Sequence, residues 1–469
     1  MGSEHEALLN YDSTVQYENV EAAQPAHPHG GKKGTTWFSS ASIIVANMLG
    51  AGVLGLPYAC AKMGWIGSII TLVLITLYSV YGGLILGWLR GGDDHIVNYG
   101  QLAEKVAKVS NSGSFWKYFC QIIGYIYIIG SCTIYLTTCK LSLMQIFQEC
   151  DTSNSTANST LPSQCGSDSC THHGSADFSD NVWLVIAAAI LYPLIHIRSL
   201  SDTGIVSYIG VSTIAVVNFI VLGRLIWEST QHHHHSTVSH ATSLTPDSLR
   251  DFVNGLTQMA FAYGGHVLMV DIQGVMEKPS EWPKAIYLSQ SFMFVNYAIV
   301  GFLGYSIYGE SVSSIITATL PDTWVRILVN VCLFIHVAVA YCINSTVVTK
   351  FFFETFWPGL ERNPHVTRAG VALRWGVVAT AIMGIVFVIG ALIPFFSDLM
   401  NVYSSLGIFS LSFFVPVIFW TLMTKATSSG AKAAFNSLLI LIAVAGCGLG
   451  IWAAIEDIAN NWKICHYHF

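Results

Sequence analysis

Three glycines and a proline, Gly50, Gly52, Gly55 and Pro57, interrupt an apolar run that begins at Ser42. A later apolar run carries Gly264 and Gly265, followed at once by His266 and then by Asp271. Glycine and proline weaken helix continuity, so each run reads as a helix broken partway. The chemistry such breaks offer belongs to the main chain. N–H and C=O groups released from the helical ladder cannot be satisfied by hydrocarbon, so they line a polar cavity, lie inside protein or meet a ligand. The N–H groups after the first break, at the positive end of a helix dipole, suit a carboxylate. Carbonyls near Leu49 and at residues 262–264 suit an ammonium. The expected binding set is therefore Leu49, Gly50, Ala51, Gly52 and Val53 on the first run with Phe261, Ala262, Tyr263, Gly264 and Gly265 on the second. The competing interpretation is that these glycines only admit a neighbouring helix. An ionisable group in such a run costs ~2.5–3.5 kcal/mol to insert unless it functions or is paired. That makes His266, since an unperturbed histidine titrates near neutrality, the first candidate for carrying a proton and Asp271 the second; His196 and His336 read as packing histidines.

The elements that must position these residues are membrane helices. Of the 469 residues, 53% are hydrophobic and only 10% charged, far from the roughly 25% charged of a soluble domain. A membrane helix needs roughly 20 apolar residues. Eleven segments qualify, near 38–60, 66–89, 115–147, 182–197, 204–227, 250–276, 285–308, 324–349, 371–393, 398–423 and 434–455. The expected fold is an all-α polytopic membrane protein of eleven helices, with residues 1–37 a disordered tail, 38–455 the membrane domain and 456–469 a short second tail. The broken segments are the first and the sixth. Two sets of five segments have opposite orientations because five is odd, which makes the first ten a 5+5 inverted repeat of the kind secondary transporters build around a midplane site.

No cleavable signal precedes the first segment, so the amino terminus is expected in the cytosol. That orientation leaves only six of the 21 Lys and Arg, namely Lys62, Lys140, Arg224, Arg250, Arg326 and Lys463, on the opposite side, as the positive-inside rule requires. The loop 148–181 then faces away from the cytosol, in agreement with its glycosylation acceptors Asn154 and Asn158 and a disulfide among Cys150, Cys165 and Cys170, with Cys465 another possible partner. The histidine-rich loop 228–249 reads as a hydrophilic connector. In the tail, Glu4 with Leu8 and Leu9, and Tyr17 with Val20, have the acidic-dileucine and tyrosine forms that sorting adaptors read. They point to an endosomal or lysosomal membrane, with the plasma membrane the alternative. No basic cluster suggests nucleic acid, and no metal spacing or cofactor motif is present.

The first break, NMLGAGVLGLPYA at residues 47–59, and the second, FAYGGH at 261–266 with Asp271, Ile272 and Gln273 after it, resemble the amino acid/auxin permease family of the amino acid–polyamine–organocation superfamily. The sixth segment is most similar to its lysine/histidine and neutral amino acid branches. The resemblance spans about residues 37–455 and implies a leucine-transporter-type fold and amino acid transport coupled to protons or, in one branch, to sodium. It also implies a substrate-contacting role for Tyr127, near Tyr125 and Ser131. Against the sodium branch, the helix-one asparagine is displaced by one position relative to Asn47, and residues 342–345, Cys-Ile-Asn-Ser, lack the expected hydroxyl; protons are favoured. An amino acid sensor using the same site is the alternative from another class.

Overall fold

The computed structural model describes residues 34–91, 93, 95–96, 98–147, 180–198, 204–232, 241–320, 323–358, 360, 366–393, 395–424 and 430–465. The sorting patterns at Glu4, Leu8, Leu9, Tyr17 and Val20, the acceptors Asn154 and Asn158, the cysteines Cys150, Cys165 and Cys170 and the histidines at 233–235 lie outside these residues. The seven described cysteines whose side chains are placed are free.

The described residues form helices and no strand. The first apolar segment is made of α1 (Trp37–Met48), the single turn α2 (Ala51–Leu54) and the start of α3 (Leu56–Arg90). Thr36 caps α1 by accepting from the Ser39 N–H at 3.2 Å. Pro57 stands in the first turn of α3, where its missing N–H costs little. At Gly64 α3 bends sharply, with φ +67°. The N–H groups of Trp65 and Ile66, freed by that bend, donate to the carbonyls of Ser243 (3.1 Å) and Leu244 (3.0 Å).

There follow a surface helix α4 (Tyr99–Val109), α5 (Phe115–Phe147), α6 (Asp180–Leu191) with a 3-10 extension Tyr192–His196, and α7 (Gly204–His232). The sixth segment comprises α8 (Leu249–Ala262) and α9 (His266–Gly274). Then come α10 (Trp282–Tyr308), α11 (Thr323–Phe356), α12 (Arg368–Leu392), α13 (Phe396–Tyr403) continued by a π-helical stretch Ser404–Phe414 into α14 (Val415–Met423), and α15 (Gly430–Cys465). Among the described residues eight helices are long and apolar enough to cross a membrane, and the first, fourth and sixth expected segments are assembled from shorter pieces.

The surface is apolar, and polar side chains are buried within an otherwise apolar interior. Leu74, Leu77, Leu441 and Ile455 are 60–64% exposed, whereas Ser79, Thr257, Gln290, Asn330 and Asn401 are buried. Water would reject that distribution and lipid accepts it. Small residues set the closest contacts. The Trp282 ring fits against Gly87, where an added Cβ would lie 2.1 Å from it, and its Nε1–H donates to the Gly83 carbonyl at 2.9 Å. This seats the start of α10 on the far end of α3, and Gly301 and Gly304 let α10 pack closely on Leu56, Pro57 and Cys60 just past the first break.

The first and sixth segments run antiparallel. Thr35, just ahead of α1, forms an isolated bridge to Met276 just beyond α9: its N–H donates to Val275 O and its carbonyl accepts from Glu277 N–H, both at 2.9 Å. Past the first break, Lys62 pairs at 3.0 Å with Asp251, which precedes the second.

The bend at Gly64 combines a left-handed backbone with no room, since a Cβ there would lie 2.7 Å from the Thr245 nitrogen. Gly64→Ala is therefore expected to lose at least about 1–2 kcal/mol of stability, read as a lower unfolding temperature of the detergent-purified protein; an unchanged temperature would contradict the bend.

Candidate functional site

The two breaks abut. Leu49 and Gly50 leave helical geometry (ψ 72° and ψ −150°) between α1 and α2, and residues 263–265 do so between α8 and α9. A Cβ on Gly52 would lie 2.8 Å from Ala262 Cα and 2.9 Å from the Phe261 ring, and one on Gly265 would lie 2.7 Å from Met48 Cγ. The helix interruption and the close-approach interpretation of the glycines thus hold together. The expected opening lies elsewhere than at Gly52. It is beside Gly50, where an added Cβ would meet within 4 Å only His336 Nε2, at 3.8 Å.

Breaking α1 and α8 frees carbonyls at their ends, and two of these converge. The Tyr297 hydroxyl, on α10, lies 3.1 Å from Met48 O and 2.7 Å from Ala262 O. Tyr297 is buried and packs edge-on to Tyr263 at 5.1 Å, whose own hydroxyl pairs with Thr76 at 2.7 Å. Tyr297 had no signal in the sequence: it is one of several aromatics in an uninterrupted apolar helix.

His266 opens α9 with its ring turned away from the break, toward α3. A carbonyl can only accept, so the 3.0 Å contact from Nε2 to Ser79 O places a proton on Nε2. Ser79 Oγ donates to Gln290 Oε1 at 3.0 Å, and Gln290 Nε2 reaches the sulfur of Met48 at 3.5 Å. A polar chain therefore leads from His266 back to the break. Asp271 is half-buried further along α9. His336 donates Nδ1–H to the Gly210 carbonyl at 2.8 Å, leaving Nε2 facing Gly50, so it is a titratable group at the break as well as a packing residue. His196 packs under α12 at Gly376 and beside Tyr192.

The aromatic surroundings separate the tyrosines of α5. The Tyr127 ring lies 5.1 Å from that of Tyr403, which meets Phe261 at 5.4 Å; the Tyr403 hydroxyl pairs with Ser131 at 2.8 Å. Phe261, Tyr403 and Tyr127 thus form a continuous aromatic series whose Phe261 end lies against Gly52. Tyr125 instead stacks on Phe351 at 3.8 Å, outside that set.

One end of the site is tied by a polar network. Besides Lys62 and Asp251, Arg250 pairs with Asp457 at 3.2 Å and with Glu456 at 3.6 Å, and Asn254 donates to Asp457. Asn401 donates to Asn254 at 3.1 Å and accepts from Thr257 at 2.7 Å, and Asp398 accepts from Asn461 at 2.8 Å. These groups come from α3, α8, α13 and α15. Their types are visible in the sequence, but their pairing depends on which helix ends meet.

Converging carbonyls, nearby N–H ends and an aromatic cover can hold a small zwitterion by its two charged groups. Residues 33–456 match the family described as transmembrane amino acid transporter protein. Over 447 residues the chain is 24% identical to the N amino acid transport system protein of Neurospora crassa, covering 94% of this chain and 88% of that one. It is 26% identical over 458 residues to lysine histidine transporter-like 4 of Arabidopsis thaliana, covering 92% and 90%. With amino acid permease 2 of the same plant the identity is 24% over 470 residues, covering 92% and 88%.

If the breaks abut as described, Gly52→Val should lower thermal stability by about 1–3 kcal/mol through overpacking, and Gly50→Ala by much less. Equal unfolding temperatures for the two purified variants would show that Gly52 is not at the contact.

Proposed function

Because the chain belongs to the transmembrane amino acid transporter protein family, we propose that it carries amino acids across a membrane by alternating access, coupled to protons. The observation that carries this reading is the convergence of Met48 O and Ala262 O, from two antiparallel interrupted helices, on one small region. In this reading the eleven apolar segments each cross the bilayer, the first ten as a 5+5 inverted repeat with a cytosolic amino terminus. The α-ammonium takes the two carbonyls, and the α-carboxylate lies against the N–H groups of Ala51 and Gly52 that follow Gly50. Phe261, Tyr403 and Tyr127 enclose the side chain.

Coupling follows from charge balance. A proton on His266, linked to the break through Ser79, Gln290 and Met48, adds a positive charge that offsets the solute's carboxylate, so each favours binding of the other. Asp271 is the second proposed carrier, and sodium the less favoured ion. An endosomal or lysosomal membrane fits the tail motifs best.

The test is uptake into proteoliposomes across a panel of amino acids, first with an imposed pH gradient and then with a sodium gradient. Uptake driven by the pH gradient alone is expected. Stimulation by sodium alone would overturn the coupling, and saturable binding without flux would replace the carrier by a sensor.

A further inference from the structure

We propose that the Tyr297 hydroxyl is a place-holder for the solute's ammonium: it occupies the shared focus of Met48 O and Ala262 O in the empty carrier and gives both carbonyls up when an amino acid binds. The inference rests on the proposed reading of the breaks as an amino acid site and adds to it a residue outside both broken helices.

The stoichiometry of the site argues for it. A phenol has one hydrogen to donate, and two carbonyls lie within reach of it, at 2.7 and 3.1 Å. The Gly50 N–H at 2.9 Å helps Met48 O. One hydroxyl still serves the pair one acceptor at a time, whereas an ammonium brings three N–H groups and serves both. The hydroxyl is also neutral, so it satisfies the carbonyls without bringing a charge that must itself be balanced. Its helix is held independently of the breaks, since α10 is seated on α3 by Trp282 and Gly87, and the Tyr263 ring stands edge-on against Tyr297 at 88°. The hydroxyl can therefore swing off the two carbonyls when the solute arrives and return to them when it leaves. In a buried setting a carbonyl with no donor is heavily penalised, so an empty carrier without this hydroxyl is the species that suffers most.

Two consequences distinguish a place-holder from a staple between helices. Removing the hydroxyl in Tyr297→Phe destabilises the empty form relative to the loaded one, so the KM for amino acid uptake should fall about tenfold. Net uptake, which requires the empty carrier to return, should fall while amino acid exchange, which does not, is retained. Replacing Tyr297 with 3-fluorotyrosine keeps the ring's shape and strengthens the O–H donor, and it should raise KM instead. This second variant decides the matter should Tyr297→Phe fail to insert. The measurement is net uptake and counterflow by reconstituted full-length protein, wild type beside each variant. Unchanged KM, or net uptake and exchange lowered in proportion, overturns the place-holder role and leaves Tyr297 structural. Absence of both activities in the wild type would sink the transport reading itself, whatever Tyr297 does.

Discussion

A main-chain carbonyl that loses its helical donor inside an apolar interior must find another, and the centre of this protein is organised by that requirement. Two breaks placed apart would each need their own buried donors. Set against one another, with Gly52 on Ala262 and Gly265 on Met48, they place Met48 O and Ala262 O where the single hydroxyl of Tyr297 reaches both. The helix that supplies it, α10, is seated on α3 where Gly87 leaves room for the Trp282 ring and Gly83 for Ile286. Small residues in both broken segments and on α3 therefore set the approach of the elements around these two carbonyls.

The pieces on either side of the breaks are anchored by different forces. α1 and α9 are joined by a main-chain bridge at Thr35, whose strength is insensitive to charge. α3 and α8 are joined through Lys62 and Asp251, with Arg250 continuing to Asp457 on α15. Partly exposed ion pairs contribute little by themselves, but the amides of Asn254 and Asn401 and the hydroxyl of Thr257 link this set to α13 in the buried interior. Each half-helix thus has its own partners, and residues 263–265 are a joint between two separately held bodies.

What the sequence made legible follows from local rules. Breaks need glycine and proline, and Gly50, Gly52, Gly264 and Gly265 advertise them; lipid-facing helices need long apolar runs, and eight helices among the described residues are long and apolar enough to cross a membrane. Two kinds of fact were hidden. The function of a lone tyrosine in a continuous helix, Tyr297, depends on what faces it across α1 and α8, which no periodicity encodes. The direction of a side chain at a break is equally silent: His266 points to Ser79 on α3, whereas His336, set among packing residues by its sequence context, directs Nε2 at Gly50. The Gly52 position was legible as a break but not as a contact, because the same missing Cβ serves both.

That double service bears on how a site so closely packed can admit a solute. Gly52 is covered by Ala262 and by the Phe261 ring, and Phe261 leans on Tyr403, which leans on Tyr127. If the site binds amino acids as proposed, a zwitterion entering beside Gly50 meets the main-chain focus first and must displace this aromatic series to seat its side chain. Recognition in that reading divides by chemistry: the ammonium and carboxylate are read by main-chain groups that every amino acid satisfies alike, and the side chain is read by three rings whose packing varies with its size. Selectivity among amino acids would then reside in the cover, and selectivity for amino acids as a class in the breaks.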